Sequence, residues 1–144
     1  MLFRSTIPLH NRKSILSKTV SHRITLIEGS STNLELFDSV KATLEPEEKI
    51  LLILDSNHTE SHVLSELRIW SQILKPGDFV IVSDTIVEEI PPQVHRPRPW
   101  GPLDNPGSAL KKFLLENDRF SANNSYSKRA ISSFNPGGYL DCIR

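Results

Sequence analysis

Two short apolar runs, Leu51-Leu52-Ile53-Leu54 and Phe79-Val80-Ile81-Val82, each break off into polar residues that carry an acid: Asp55 directly, and Asp84 after Ser83. Between them Val63, Leu64, Leu67, Trp70, Ile73 and Leu74 recur near the helical period, and Lys75-Pro76-Gly77-Asp78 closes the pattern. The segment reads as one βαβ unit of the usual length, roughly 30 residues from one strand end to the next. Strands this uniformly apolar are expected to be parallel and covered on both faces, because a half-exposed strand would alternate. Ligands of open α/β sheets bind beyond the carboxyl ends of the strands, so this register puts Asp55 and Asp84 on one shared edge.

The alternation extends upstream. Ile24 to Ile27 reads as a strand and Glu28-Gly29-Ser30-Ser31-Thr32-Asn33 as the turn after it. Asn33 can cap a helix whose apolar positions Leu34, Phe37, Val40 and Leu44 share a face, and Glu45-Pro46-Glu47-Glu48 ends it. A strand from Ile50 to Leu54, a helix from about Thr59 to Leu74 and a strand from Phe79 to Val82 follow, which predicts a doubly wound α/β sheet. A proline-rich connection then runs from Ile90 to Pro102. Connections beyond roughly 12 residues are usually functional lids or linkers, and Trp100 with Arg96 and Arg98 favours a lid over a substrate. Pro106-Gly107-Ser108 is expected to start a helix through Ala109, Leu110, Phe113 and Leu114, with Ser108 as its cap. Phe120 to Ile143 reads as a strand pair, with Asn135-Pro136-Gly137-Gly138 as its tight connection.

At 144 residues the chain is expected to be a single domain. Its 38% hydrophobic and 24% charged residues exclude a disordered or membrane-embedded class. No apolar run approaches the roughly 20 residues that span a bilayer, and the opening Met1-Leu2-Phe3-Arg4 is too short for a secretory signal, so the expected location is cytoplasmic. Lysine plus arginine balances aspartate plus glutamate at 17 each, which recruits neither nucleic acid nor an anionic membrane. Arg96, Arg98 and Lys111-Lys112 are local exceptions, too few for a basic stripe. The single cysteine, Cys142, excludes an internal disulfide and a cysteine-rich zinc site, and is expected to be a small core residue of a last strand.

Asp55 and Asp84 at neighbouring strand ends could seat a hard divalent cation such as Mg2+, with positions left open for a substrate oxygen. His58 has a pKa range suited to taking a proton from that oxygen, and His62 shares its face if the helix has begun by His58. An ordinary reading stands beside this one. Asp55, Asn57 and Thr59 are all good helix caps, the histidines suit a solvated helix face, and Asp84 before Thr85 suits a turn. Gly29-Ser30-Ser31 lacks the spaced glycines of a dinucleotide fingerprint. Spacing thus supports a pocket and stops short of a reaction.

The run Leu54-Asp55-Ser56-Asn57-His58-Thr59-Glu60-Ser61-His62-Val63 carries a resemblance, together with Leu67, Lys75-Pro76-Gly77 and the strand ending at Asp84-Thr85. With Arg98-Pro99-Trp100-Gly101-Pro102, Asn105-Pro106 and Asn135-Pro136-Gly137-Gly138-Tyr139-Leu140, the chain resembles the cephalosporin hydroxylase family from about His10 to its end. That family is similar to the rhamnosyl O-methyltransferases. The resemblance implies a Rossmann-like methyltransferase fold, with a mostly parallel sheet and a C-terminal antiparallel strand pair. It also implies methyl transfer from S-adenosylmethionine to a hydroxyl of a sugar, glycolipid or natural product, a role in lipid biosynthesis among them, with Mg2+ or a similar cation orienting that hydroxyl. Carried over, Asp55 and Asp84 are metal ligands, Asp55 and His58 catalytic, Gly29, Ser30 and Ser31 on the cofactor side, and His62, Arg98 and Trp100 substrate or lid residues.

The chain departs from that pattern at three points. It has no counterpart of the family's first strand and glycine-rich turn, Thr6 stands where an acid is expected to meet the ribose, and Ser83 stands where a second acid often precedes Asp84. A partial methyltransferase-like domain is therefore expected, with its acceptor end retained and its cofactor end impaired. The missing strand would leave backbone groups unpaired, to be met by re-pairing of the N-terminal residues, by a homo-oligomer, or by the remainder of a longer gene product. The alternatives are a noncatalytic binding or assembly module, and a hydrolase or other metal enzyme using the same two acids. No Gly-x-Ser-x-Gly elbow supports an α/β-hydrolase.

Overall fold

The computed structural model describes residues 2–4, 6–92, 94–95, 97–129 and 133–144, with backbone alone for Leu2 to Arg4. Arg96, one of the two arginines expected on the lid, lies outside the described residues. The chain divides into two compact units, Met1–Thr43 and Leu44–Arg144.

In the N-terminal unit β1 (Leu2–Arg4) pairs in parallel with β2 (Leu26–Glu28), Leu2 opposite Leu26. The first of these was not anticipated, since three residues are too few to show a period. The connection between them contains α1 (Leu9–Leu16) and is tied back to β2 by Glu28, whose Oε1 accepts the Ile7 N–H at 3.2 Å and an Arg12 guanidinium N–H at 3.1 Å. These two donors hold the Glu28 carboxyl below its usual range. Helix α2 (Leu34–Lys41) has the expected cap, since Asn33 Oδ1 accepts the N–H groups of Glu35 and Leu36, but of the expected apolar face only Phe37 and Val40 are buried: Leu34 is exposed and Leu44 lies past the helix end.

The C-terminal unit is a mixed four-stranded sheet in the order β3-β4-β6-β5, from β3 (Leu51–Leu54), β4 (Phe79–Val82), β5 (Phe120–Ala122) and β6 (Tyr139–Cys142). The first two pair in parallel around α3 (Glu60–Trp70), whereas β6 is antiparallel to both β4 and β5. The expected mostly parallel sheet is thus a mixed one here, and the expected C-terminal antiparallel pair is present. Register explains the core. Leu52 lies opposite Val80, Leu54 opposite Val82, Val80 opposite Leu140, and Phe120 opposite Cys142, so all of these side chains share one face. That face packs on Val63, Leu64 and Leu67 of α3 and on Ala109, Leu110 and Phe113 of α4 (Pro106–Glu116). Cys142 is a buried core residue of the last strand, and burial raises its thiol pKa. On the opposite face the short α5 (Asn124–Arg129) lays Tyr126 edge-on to Phe79 at 5.2 Å and beside Tyr139 at 5.8 Å.

Three expectations need correction. Leu51 and Ile53 are each 56% exposed, so β3 is not covered on both faces: it ends the sheet, and its apolar run alternates in burial. The cap of α4 is Asn105, not Ser108. Asn105 Oδ1 accepts the N–H groups of Gly107 and Ser108, and Ser108 Oγ accepts the Asn105 N–H at 3.0 Å, a reciprocal capping box. Finally, Asn135-Pro136-Gly137-Gly138 is not a tight link between two strands, because α5 lies between β5 and β6 and the motif serves a different end.

Candidate active site

The parallel strands deliver their acids as expected. The ladder continues one step past β3, where the Ser83 N–H donates to the Leu54 carbonyl at 2.9 Å, and Asp55 and Asp84 leave the sheet side by side. Asp84 adopts the left-handed region, φ 55°, and opens a 3-10 turn over Thr85–Glu88. A non-glycine residue in this region carries a conformational cost that surrounding contacts must offset. The Asn-Pro-Gly-Gly motif provides them. Asn135 Oδ1 accepts the Asp84 N–H at 2.9 Å, the Pro136 carbonyl accepts the Thr85 hydroxyl at 2.9 Å, and the Gly138 carbonyl accepts the Val82 N–H at 2.8 Å. Gly138 must be glycine, because a Cβ there would lie 2.3 Å from the Val82 carbonyl oxygen.

His58 precedes α3 rather than lying on it, and this frees its ring to turn toward β4. Its Nε2 is 2.7 Å from Asp84 Oδ2, with the His58 side chain 18% and the Asp84 side chain 40% exposed. One ligand atom from each of Asp55, His58 and Asp84 can be chosen so that all lie within 4.8 Å of one another. The Trp100 ring stacks on His58 at 5.0 Å and 22°, and the Arg98 guanidinium lies 5.2 Å from the centre of the Trp100 ring. Around them opens a cleft of about 720 Å³, with Ser56, His58 and Asp84 on one side and Ile86, Trp100 and Phe134 among its apolar walls.

The ordinary reading of Asp55 as a helix cap is not what the backbone uses. The Thr59 N–H donates to Asn57 Oδ1 at 2.9 Å and the Glu60 N–H to Asp104 Oδ1 at 2.8 Å, leaving Asp55 outside both bonds. His62 lies on α3 and is not among the residues lining the cleft; its Nε2 is 3.4 Å from Glu66 Oε1 one turn along. The buried Glu66 also accepts the Ser56 hydroxyl at 2.7 Å, which fastens the loop between Asp55 and His58 to the helix. Beneath the proline-rich connection Glu88 gathers the Asn105 amide at 2.6 Å, the Leu103 N–H at 3.0 Å and the Lys111 ammonium at 2.9 Å, which lower its carboxyl pKa to about 2. Gly29, Ser30 and Ser31 belong to the N-terminal unit. A Cβ on Gly29, φ 145°, would lie 2.4 Å from Leu36 Cδ1, and Ser30 Oγ is 2.7 Å from the Thr32 hydroxyl.

The structure therefore brings together Asp55, His58, Asp84, Trp100 and Arg98. The sequence reading missed Asn135 and Ser56, whose roles are contacts across 51 and 10 positions. An asparagine before Pro-Gly-Gly is the available signal for the first, and the sequence reading takes it as a tight connection and as part of the family resemblance, with no role at the site.

Residues 4–143 match the family model described as rhamnosyl O-methyltransferase/CmcI. Rhamnosyl O-methyltransferases of Mycobacterium tuberculosis (strain ATCC 25618 / H37Rv) and Mycobacterium bovis (strain BCG / Pasteur 1173P2) are 32% identical to the chain over 69 residues, 47% of this chain and 28% of theirs. The match thus spans well under half the length of these relatives. No solved structure matches the chain significantly.

Proposed function

The chain belongs to the rhamnosyl O-methyltransferase/CmcI family, and on that premise we propose that its cleft receives a hydroxyl of a sugar-containing acceptor for O-methyl transfer. The observation that carries this reading is the cluster of Asp55, His58 and Asp84, with ligand atoms within 4.8 Å of one another, of which His58 and Asp84 line a cleft walled by Trp100 and Arg98. The parallel β3–α3–β4 crossover with antiparallel β6 beside it supports a Rossmann-like reading of the fold. Among the described residues no helix is long and apolar enough to cross a membrane.

The donor set fits a divalent cation: two carboxylates and an imidazole within reach of one another, one of them on a backbone conformation that Asn135 stabilises. A cation bound there would fix a substrate hydroxyl and lower its pKa. Asp55 and Asp84 supply the charge that would hold it. Trp100, with His58 stacked on its ring and Arg98 over it, would form an apolar wall beside the acceptor, and Arg98 would offer donors to the acceptor's oxygens. S-adenosylmethionine is the methyl donor this reading invokes. The turn expected to meet it does not mark a cradle, since Gly29 is accounted for by Leu36 and the Ser30 hydroxyl by Thr32.

The test is to incubate the full chain with S-adenosylmethionine, a rhamnosyl glycoside and Mg2+ or Mn2+, and to follow methylated sugar by mass spectrometry. Product that disappears with chelator and in Asp55→Asn is expected. Absence of product across a panel of rhamnosyl and related sugars, with both metals supplied, would reject the assignment.

A further inference from the structure

We propose that His58 is the third ligand of the cation site, which makes it a mixed nitrogen and oxygen site selecting a first-row transition-metal dication over Mg2+. The inference rests on the reading of Asp55 and Asp84 as cation ligands, and it assigns His58 a role different from general base. Adjacent ligands at roughly 2.1 Å from a metal in octahedral geometry lie roughly 3 Å apart. His58 Nε2 and Asp84 Oδ2 are already 2.7 Å apart, so the two atoms that now share a proton have the spacing of neighbouring ligands. Asp55 offers an oxygen within 4.8 Å of both.

The ring is also held in this orientation. Trp100 stacks on it at 5.0 Å, and the backbone before α3 is fixed by the bond from the Thr59 N–H to Asn57 Oδ1. Nε2 is aimed at a carboxylate oxygen, the place a cation shared with Asp84 would occupy, so a proton-accepting role at this ring would fall to Nδ1. The same nitrogen cannot both hold a cation and take a proton. Imidazole favours transition metals, while Mg2+ prefers oxygen ligands and retained waters. Replacing one oxygen by a nitrogen therefore shifts the preference of the site as a whole.

The experiment is pulsed electron paramagnetic resonance of the full chain loaded with Mn2+, with Co2+ and Mg2+ titrated in parallel against wild type and His58→Ala. Imidazole-nitrogen modulation in wild type and its loss in His58→Ala are expected. Removal of the ligand should lower Co2+ affinity by roughly tenfold or more and by a larger factor than Mg2+ affinity, with an unchanged far-ultraviolet circular dichroism spectrum as evidence that the variant is folded. Oxygen-only coordination in wild type, or nitrogen modulation that survives in His58→Ala, would overturn the assignment and leave Asp55 and Asp84 standing as ligands. Absence of saturable binding of all three cations would overturn both readings. If His58→Ala does not fold, the wild-type spectrum alone decides.

Discussion

Asn135 Oδ1 accepts the backbone N–H of Asp84 at 2.9 Å, joining the loop before β6 to the residue that ends β4. The bond holds the candidate ligand in its left-handed conformation. Asn135→Ala should lower stability by about 1 kcal/mol and weaken divalent-cation binding by roughly tenfold, as read by thermal denaturation and cation titration. Asn135→Asp keeps an acceptor at that place and should recover most of the loss.

Gly138→Ala places a methyl group 2.3 Å from the Val82 carbonyl oxygen and 3.2 Å from Thr85 Cγ2. Backbone has to shift at the end of β4, at a cost of about 1–3 kcal/mol. Urea denaturation should show a lower midpoint with an unchanged slope.

Acid should act through Glu88. Its folded-state pKa, about 2, lies below the ordinary 4.5, so it adds stability above pH 4.5 that is lost as the pH falls from there toward 2. The first cause is the hydrogen bond from Asn105, the residue that caps α4. Glu88→Gln should flatten the acid limb of stability measured from about pH 6 to about pH 3. An unchanged limb would place the acid sensitivity elsewhere.

Trp100 is the natural reporter of the site. The chain has 2 tryptophans, and Trp70 is only 3% exposed in the core. Quenching of fluorescence by Co2+ should therefore come from Trp100, which stacks on His58. Trp100→Phe should remove most of the quench and leave the affinity, read by Co2+ absorption, nearly unchanged.

The βαβ unit was legible because its apolar runs and helical period are local properties of the sequence, and the two strand-end acids followed from register. Two helix starts divided differently. At Asn33 the capping residue directly abuts the apolar helical pattern that starts at Leu34, and the structure has it as the cap. At Asn105 the Pro-Gly-Ser that follows offered a second candidate, and only the burial of Asn105 beside Glu88 decides between them. The exposure of Leu51 and Ile53 could not be read from an apolar run, because a central strand and an edge strand present the same residues. His58 was placed near the acids by spacing, but its turn toward Asp84 depends on α3 beginning at Glu60. Asn135 was invisible as a site residue because its partner is 51 positions away.

The central claim is that Asp55 and Asp84 hold a divalent cation at the edge of the cleft, and calorimetric titration of Mn2+ into wild type, Asp55→Asn and Asp84→Asn tests it most directly. One saturable site in wild type, weakened by roughly tenfold or more in each folded variant, is the predicted result. Failure of wild type to bind, or equal binding by all three proteins, would contradict it.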